Sequence, residues 1–361
     1  MAAAQEPVYY WTYLHLDQLL SAQVPLSDPP AHDELLFIVV HQAFELWFKQ
    51  ILFELDAVLD VMGRDVVAEK DMGEVVAHLM RINKIQRLLT DQIEVLETMT
   101  PLDFLEFRDV LIPASGFQSV QFRLIENKLG LDAGHRLRIK GMPYTSVLSA
   151  EHAAAIEASE REPSLHDHLE HWLRRTPFLS FGGFDFWRAY REAVAEMLAR
   201  DRAVIESHPQ LDAEGRAAAL KEFAATMAAF EAVFDATQWA ELVRAGKRRL
   251  SHRAFLAALL INLYRDEPIF QLPFRFLTML VDIDESFTAW RQRHVLLAHR
   301  MIGGRIGTGG TAGHEYLAAA ARHHRVFNDL FDLPTYLIPR SARPPLPAEV
   351  SEQMGFRYGQ S

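Results

Sequence analysis

The chain has no cysteine. It therefore forms no disulfide, offers no thiolate nucleophile, and holds neither a cysteine-ligated zinc or haem nor an iron–sulfur cluster. Any metal must be bound through histidine, carboxylate, tyrosine or methionine. Positive charge is also scarce: 37 Lys+Arg stand against 48 Asp+Glu, a formal net charge of −11 over 361 residues. Nonspecific nucleic-acid binding relies on an overall basic field, so no nucleic-acid partner is expected. Long apolar runs are missing too. The longest, Phe255 to Ile261, is cut by Asn262 and followed by Arg265-Asp266-Glu267, far short of a bilayer span, and no membrane partner is expected. The start, Met1 to Pro7, has no basic or apolar leader segment, which points to a cytoplasmic location.

What is present is helical pattern and enough apolar material, 49% of residues, to bury a large core. From Asp33 to about Met62 no Gly or Pro intervenes and apolar residues lie nearly all round, the mark of a central helix that Asp33 can cap, with Glu45 and Lys49 able to pair on any wet face. Apolar residues recur at helical spacing from about Asp71 to Met99. Shorter helices are expected over 103–111 and 117–129, and the stretch 141–160 is less regular. Further helices are expected over 164–174, 184–207, 214–236, 253–264, from Pro273 or Asp282 to Ile302, and over 315–331. No strand-period segment competes, so the expected fold is all-α, a single-domain helical bundle. Residues 1–30 read as an N-terminal arm and 31–340 as the helical domain. Within it, about 195–245 is rich in Ala and Glu and reads as a peripheral helical insertion; 341–361 is a Pro-rich tail, expected to be extended or mobile.

Sixteen histidines are the plentiful metal ligands. Most, including His78, His252 and His324, sit in polar or terminal contexts and read as solvated. His166, His168 and His171 offer an i, i+3 pair without the Glu and spacing of a metalloprotease motif, and read as a wet helix face. Two differ. His41 lies four residues after Phe37 and three before Phe44, and His294 lies four after Trp290 and three before Leu297, so both fall on apolar faces of separate helices. Two such histidines in a cysteine-free helical chain suggest a haem slot, one on iron and one over the opposite face. Arg108, one turn after Phe104, suits a carboxylate clamp beside an aromatic wall; from spacing alone a salt bridge with Glu106 or Asp109 explains it equally well. Tyr10 and Tyr13 share a face near the N-terminus. The run Gly307 to Gly313 follows a helix and lacks a Lys-Ser/Thr pair, so it is no nucleotide loop; near His294 it suggests a lid.

Five motifs occur in order: Tyr10-Trp11-Thr12-Tyr13-Leu14-His15-Leu16-Asp17, the His41 helix, Pro113-Ala114-Ser115-Gly116-Phe117-Gln118-Ser119, Trp290-Arg291-Gln292-Arg293-His294, and Gly307-Thr308-Gly309-Gly310. In these the chain, from about Tyr10 to Arg340, resembles the tryptophan 2,3-dioxygenase family. The resemblance implies an all-helical homotetramer with one b-type haem per subunit, inserting both atoms of O2 across the indole C2–C3 bond of L-tryptophan to give N-formyl-L-kynurenine. It implies His294 as proximal haem ligand, His41 as the distal histidine facing the indole N–H, and Phe37 and Phe104 as walls around the indole. It further implies Arg108 as carboxylate clamp, Thr308 as a contact to the substrate's amino-acid group, and Ser115 near the haem. Tyr10 and Tyr13, on the arm, would be lent to a neighbouring subunit's pocket. The chain departs from the family in Thr311-Ala312 after the paired glycines, usually Ser-Ser, and in bulky Trp11 between the tyrosines. These departures are the support for an alternative, the same scaffold acting on a substituted tryptophan; a non-catalytic haem sensor is a third reading.

Overall fold

A computed structural model of the chain describes residues 7–131, 134, 136, 143–177, 179–181, 184–305, 307 and 324–354. The fold is all-α. Two short helices, α1 (Tyr10–Tyr13) and α2 (Leu16–Leu20), form the N-terminal arm ahead of the long α3 (Glu34–Met62) and α4 (Glu69–Leu96). Then come α5 (Pro101–Phe107), α6 (Val120–Leu129), α7 (Ala150–Ser159) and α8 (Leu165–Arg174). The central segment holds α9 (Phe186–Ser207), α10 (Ala213–Phe234) and α11 (Ala236–Arg244), and the C-terminal part holds α12 (His252–Leu263), α13 (Pro268–Ile302), α14 (Asn328–Asp332) and α15 (Ala348–Gln353).

The core is written into two sequence stripes. On α3, residues 37, 41, 44, 48, 51, 55, 58 and 62 alternate steps of four and three, as do 276, 280, 283, 287, 290, 294, 297 and 301 on α13. Such a stripe keeps one face of a helix apolar along its length. Ile51, Leu55, Val58 and Met62 are fully buried, as are Phe276, Leu280 and Ile283. Helix α4 lies between them, packing on both α3 and α13, and its buried Asn83 donates to the Met279 carbonyl oxygen at 3.2 Å. Leu55→Ala should cost about 2–5 kcal/mol through the cavity it leaves, read as a lower urea midpoint; an unchanged midpoint would show that α3 is not central.

Several expectations need correction. Asp33 stands at the N-cap of α3 but its side chain makes no capping bond; Glu34 instead accepts from the backbone N–H of Leu26 at 2.6 Å and Ser27 at 3.0 Å, tying the end of the arm to the helix. Glu45 accepts from Gln121 at 2.8 Å rather than from Lys49. A two-stranded ribbon, Ser180–Phe181 with Phe184–Asp185, precedes α9, which starts at Phe186 because Asp185 caps it through the Arg188 N–H. A separate helix, α11, begins where Asp235 accepts from the N–H groups of Thr237 and Gln238. The irregular stretch 141–160 contains α7, capped by Ser149. Of the helix expected over 315–331, residues 315–323 lie outside the described residues, and only the short α14 is seen.

The tail is not loose where it is described. Tyr264 donates to the Pro344 carbonyl oxygen at 2.7 Å, the Ile269 N–H donates to Met354 at 3.2 Å, and Val350 and Met354 are buried. A few well-placed apolar residues suffice to dock it, although its prolines suggested otherwise. Helix α3 meets the length and apolarity of a membrane span, yet its stripe is buried against α4 and α6.

Candidate functional site

Where the α3 and α13 stripes carry His41 and His294 instead of aliphatic residues, the core opens into a cavity of about 320 Å³. Its lining brings together Phe37, His41, Phe104, Arg108, Ser115 and His294, residues from four separated segments of the chain. Phe37 lies tilted against His41, ring centroids 4.0 Å apart, and near Phe104 at 5.9 Å and Phe107 at 5.6 Å. Trp290, one turn before His294, lies stacked against it at 5.3 Å and meets Phe44 of α3 edge-on at 6.1 Å.

Local structure explains how each side chain arrives there. Thr100 and Asp103 form a reciprocal capping box with Pro101 in the first turn, starting α5 and carrying Phe104 and Arg108 to the wall. Ser115 and Gln118 form a second box around a 3-10 turn, with Gln118 Nε2 donating to the Val147 carbonyl oxygen at 3.1 Å. Ser119 then caps α6. The Pro113–Ser119 motif is thus a folded corner that presents Ser115 to the cavity.

The histidines are neutral. His41 Nδ1 lies 2.7 Å from the Phe37 carbonyl oxygen, so Nδ1 carries the proton and Nε2 keeps its lone pair. Burial pushes the pKa of His41 down against the opposing pull of that hydrogen bond and of Glu45. His294 makes no hydrogen bond among the described residues, and burial, with His41 adding to it, pushes its pKa down to about 4. A neutral imidazole with a free nitrogen, facing an aromatic slot, is a metal ligand in waiting, and the cysteine-free donor set fits haem.

Arg108 lines the cavity and also reaches Asp109 Oδ1 at 3.3 Å, so both readings of its spacing have a counterpart. Tyr10 and Tyr13 are 71% and 70% exposed and do not line this chain's cavity. Thr308 lies outside the described residues, as does the rest of its glycine loop except Gly307, which touches the cavity.

Sequence reasoning missed a buried polar wall of the same cavity: Arg123 and Glu126 on α6, Arg291 on α13, and His324. Glu126 accepts from Arg123 at 2.6 Å and Arg291 at 2.9 Å. Burial would raise its pKa, but Arg123, Arg136, His324 and Arg291 outweigh that and hold it well below the usual carboxylate range. His324, read as solvated, is 3% exposed, and His166 is 5% exposed beneath Phe327. The available signal was Arg291, three residues before His294 on α13 and next to the stripe residue Trp290.

Acid should weaken the haem-free fold early. Burial holds His41 and His324 below the ordinary value of 6.5, so below that pH the unfolded chain takes up protons that the folded chain refuses, and stability is lost as pH falls. Glu126, depressed from 4.5, adds a further loss as pH drops below that value. Urea midpoints should decline from pH 7 to pH 5; a flat profile would show these imidazoles are not held neutral.

A family model described as tryptophan 2,3-dioxygenase matches residues 2–337. A protein of that name from Bdellovibrio bacteriovorus is 51% identical over 355 residues, covering 98% of this chain and 99% of its own. Those of Alteromonas mediterranea and Dictyostelium discoideum are 45% and 44% identical, covering 97% and 99% of this chain and 98% and 90% of theirs. With the match running along nearly the whole chain, the chain belongs to the tryptophan 2,3-dioxygenase family.

Proposed function

We propose that the chain is a haem-dependent dioxygenase that adds both atoms of O2 across the indole C2–C3 bond of L-tryptophan, yielding N-formyl-L-kynurenine. The observation that carries this is one aromatic cavity holding two neutral histidines and Arg108. All atoms of tryptophan and O2 appear in the product, so no external reductant is consumed in the step. Haem, when bound, supplies the iron that activates O2.

The protein's own residues bind, orient and exclude water. His294 would hold the iron of one b-type haem per subunit, and Ser115, which lines the same cavity, would help to bind the cofactor. Arg108 takes the substrate carboxylate through a bidentate pair and so fixes the register of the indole. Phe37 and Phe104 wall the ring and keep water out, which strengthens each polar contact inside. His41 Nε2, the lone-pair nitrogen, accepts from the indole N–H. Thr308, in the glycine-rich sequence Gly307 to Gly313, is assigned to the substrate's amino-acid group by family likeness.

The assembly is read as a homotetramer in which Tyr10 and Tyr13 complete a neighbour's pocket. Two features support this: the exposed aromatic arm, and an outward stripe on α3 where Leu35, Val39, Leu46 and Phe53 are 46–69% exposed, more apolar surface than a lone chain usually shows. Neither a membrane nor nucleic acid is assigned as partner, and the cytoplasm is the proposed location.

The test uses haem-loaded, anaerobically reduced protein, to which L-tryptophan and air are added while N-formylkynurenine absorbance is followed. Product carrying both atoms of labelled O2 is expected. A sound haem spectrum without product would overturn the dioxygenase reading.

A further inference from the structure

The polar wall of the cavity carries a charge imbalance that the roles above leave unused. Glu126, 2% exposed, accepts from Arg123 Nη1 at 2.6 Å, Arg136 Nη1 at 2.8 Å and Arg291 Nη2 at 2.9 Å. Among the described residues, three buried guanidinium groups thus share one carboxylate. Asp284, the next carboxyl to feel Arg291, is engaged by the backbone N–H groups of Val326 and Phe327. His324, kept uncharged by burial, contributes no cation.

The three arginines are not equivalent. Arg291 divides its donors between Glu126 and the His324 carbonyl oxygen at 2.9 Å. Arg136 divides its own between Glu126 and Asn127. Arg123 lines the cavity, with its guanidinium near the rings of Phe122 and Tyr144, and among the described residues only its Nη1 is hydrogen-bonded. Glu126 therefore anchors one end of this guanidinium, and Nε and Nη2 remain as a pair of donors. A surplus buried cation is costly until an anion joins it, and paired N–H groups match a carboxylate bidentately.

We propose that Arg123 binds a carboxylate inside this cavity, and that it is one of the two acid side chains of haem. The proposal rests on the haem reading given above. Placement favours haem over the amino acid as the source. The Arg123 cluster is joined through Glu126 to Arg291, one turn before His294 on α13. Arg108, by contrast, stands on the α5 side beside Phe104. Two separate cationic places suit two separate acids.

The test loads the full-length protein with haem b or with its dimethyl ester, in which both acids are capped, and follows release to excess apomyoglobin by absorbance. Wild type should release the ester roughly tenfold faster than haem b, the worth of a hydrogen bond to a charged group. Arg123→Gln should release haem b roughly tenfold faster than wild type and shrink the difference between the two haems, as expected when one partner of a coupled pair is already gone. Equal release of both haems from wild type overturns the proposal, and that comparison needs no variant to fold. A raised tryptophan KM in Arg123→Gln with unchanged haem release would assign Arg123 to the amino-acid carboxylate, which also overturns it. A wild-type chain that retains neither haem overturns the haem reading itself.

Discussion

His294→Ala is expected to yield a folded helical protein that carries no haem and shows no Soret absorbance on titration with hemin. His294 makes no hydrogen bond among the described residues and sits on the α13 stripe between buried Phe287 and Met301, so its removal deprives the iron of a donor without breaking a polar network. Outer partners of a metal ligand alone contribute roughly 10–100-fold in affinity, and loss of the ligand itself should exceed that. Far-ultraviolet circular dichroism should remain close to wild type. Added imidazole should restore ligation, because the space vacated by the side chain opens onto the cavity. A variant that kept haem with an unaltered spectrum would show that another residue, His41 foremost, is the proximal ligand.

Arg108→Ala should raise the tryptophan KM by roughly 30-fold or more, since truncating one member of a desolvated, hydrogen-bonded charge pair costs about 2–5 kcal/mol. Haem retention should not change, because Arg108 belongs to the α5 wall and not to the α13 side. Tryptamine, which lacks the carboxylate, supplies the control: its turnover should be weak and nearly the same in wild type and variant. Arg108→Lys should recover only part of the loss, as an ammonium keeps the charge but not the two-pronged geometry. Equal penalties for tryptophan and tryptamine would remove Arg108 from the clamp and leave it as a partner of Asp109.

The long helices were legible because their stripes are regular. The four-three spacing that buries Ile51 and Leu55 is the same spacing that sets His41 and His294 facing the core, so the two histidines stood out before any coordinate. The placement of Phe104, Arg108 and Ser115 on the cavity wall was legible from motif likeness, and the capping boxes at Thr100 and Ser115 give it a physical cause. Other features depended on tertiary packing. Nothing local distinguishes His324, buried through contact with Glu126 and Arg291, from a surface histidine. The docking of Val350 and Met354 likewise depends on a groove made by distant residues near Tyr264 and Ile269. Prolines in that tail speak for extended backbone, and extended backbone can be docked as firmly as helix.

The gap in the α3 and α13 stripes has a consequence for the life of the protein in a cell. A cavity of about 320 Å³ lies between the α3 and α13 stripes, and a ligand seated in it makes dispersion contacts with that lining. A ligand that fills it stabilises only the folded chain and does so in proportion to its free concentration. Haem is then as much a part of the interior as Leu55 or Phe276, supplied by another route than the ribosome. Starved of haem, the chain should open more often, meet proteases sooner and fall in abundance, so that cofactor supply sets turnover as well as activity.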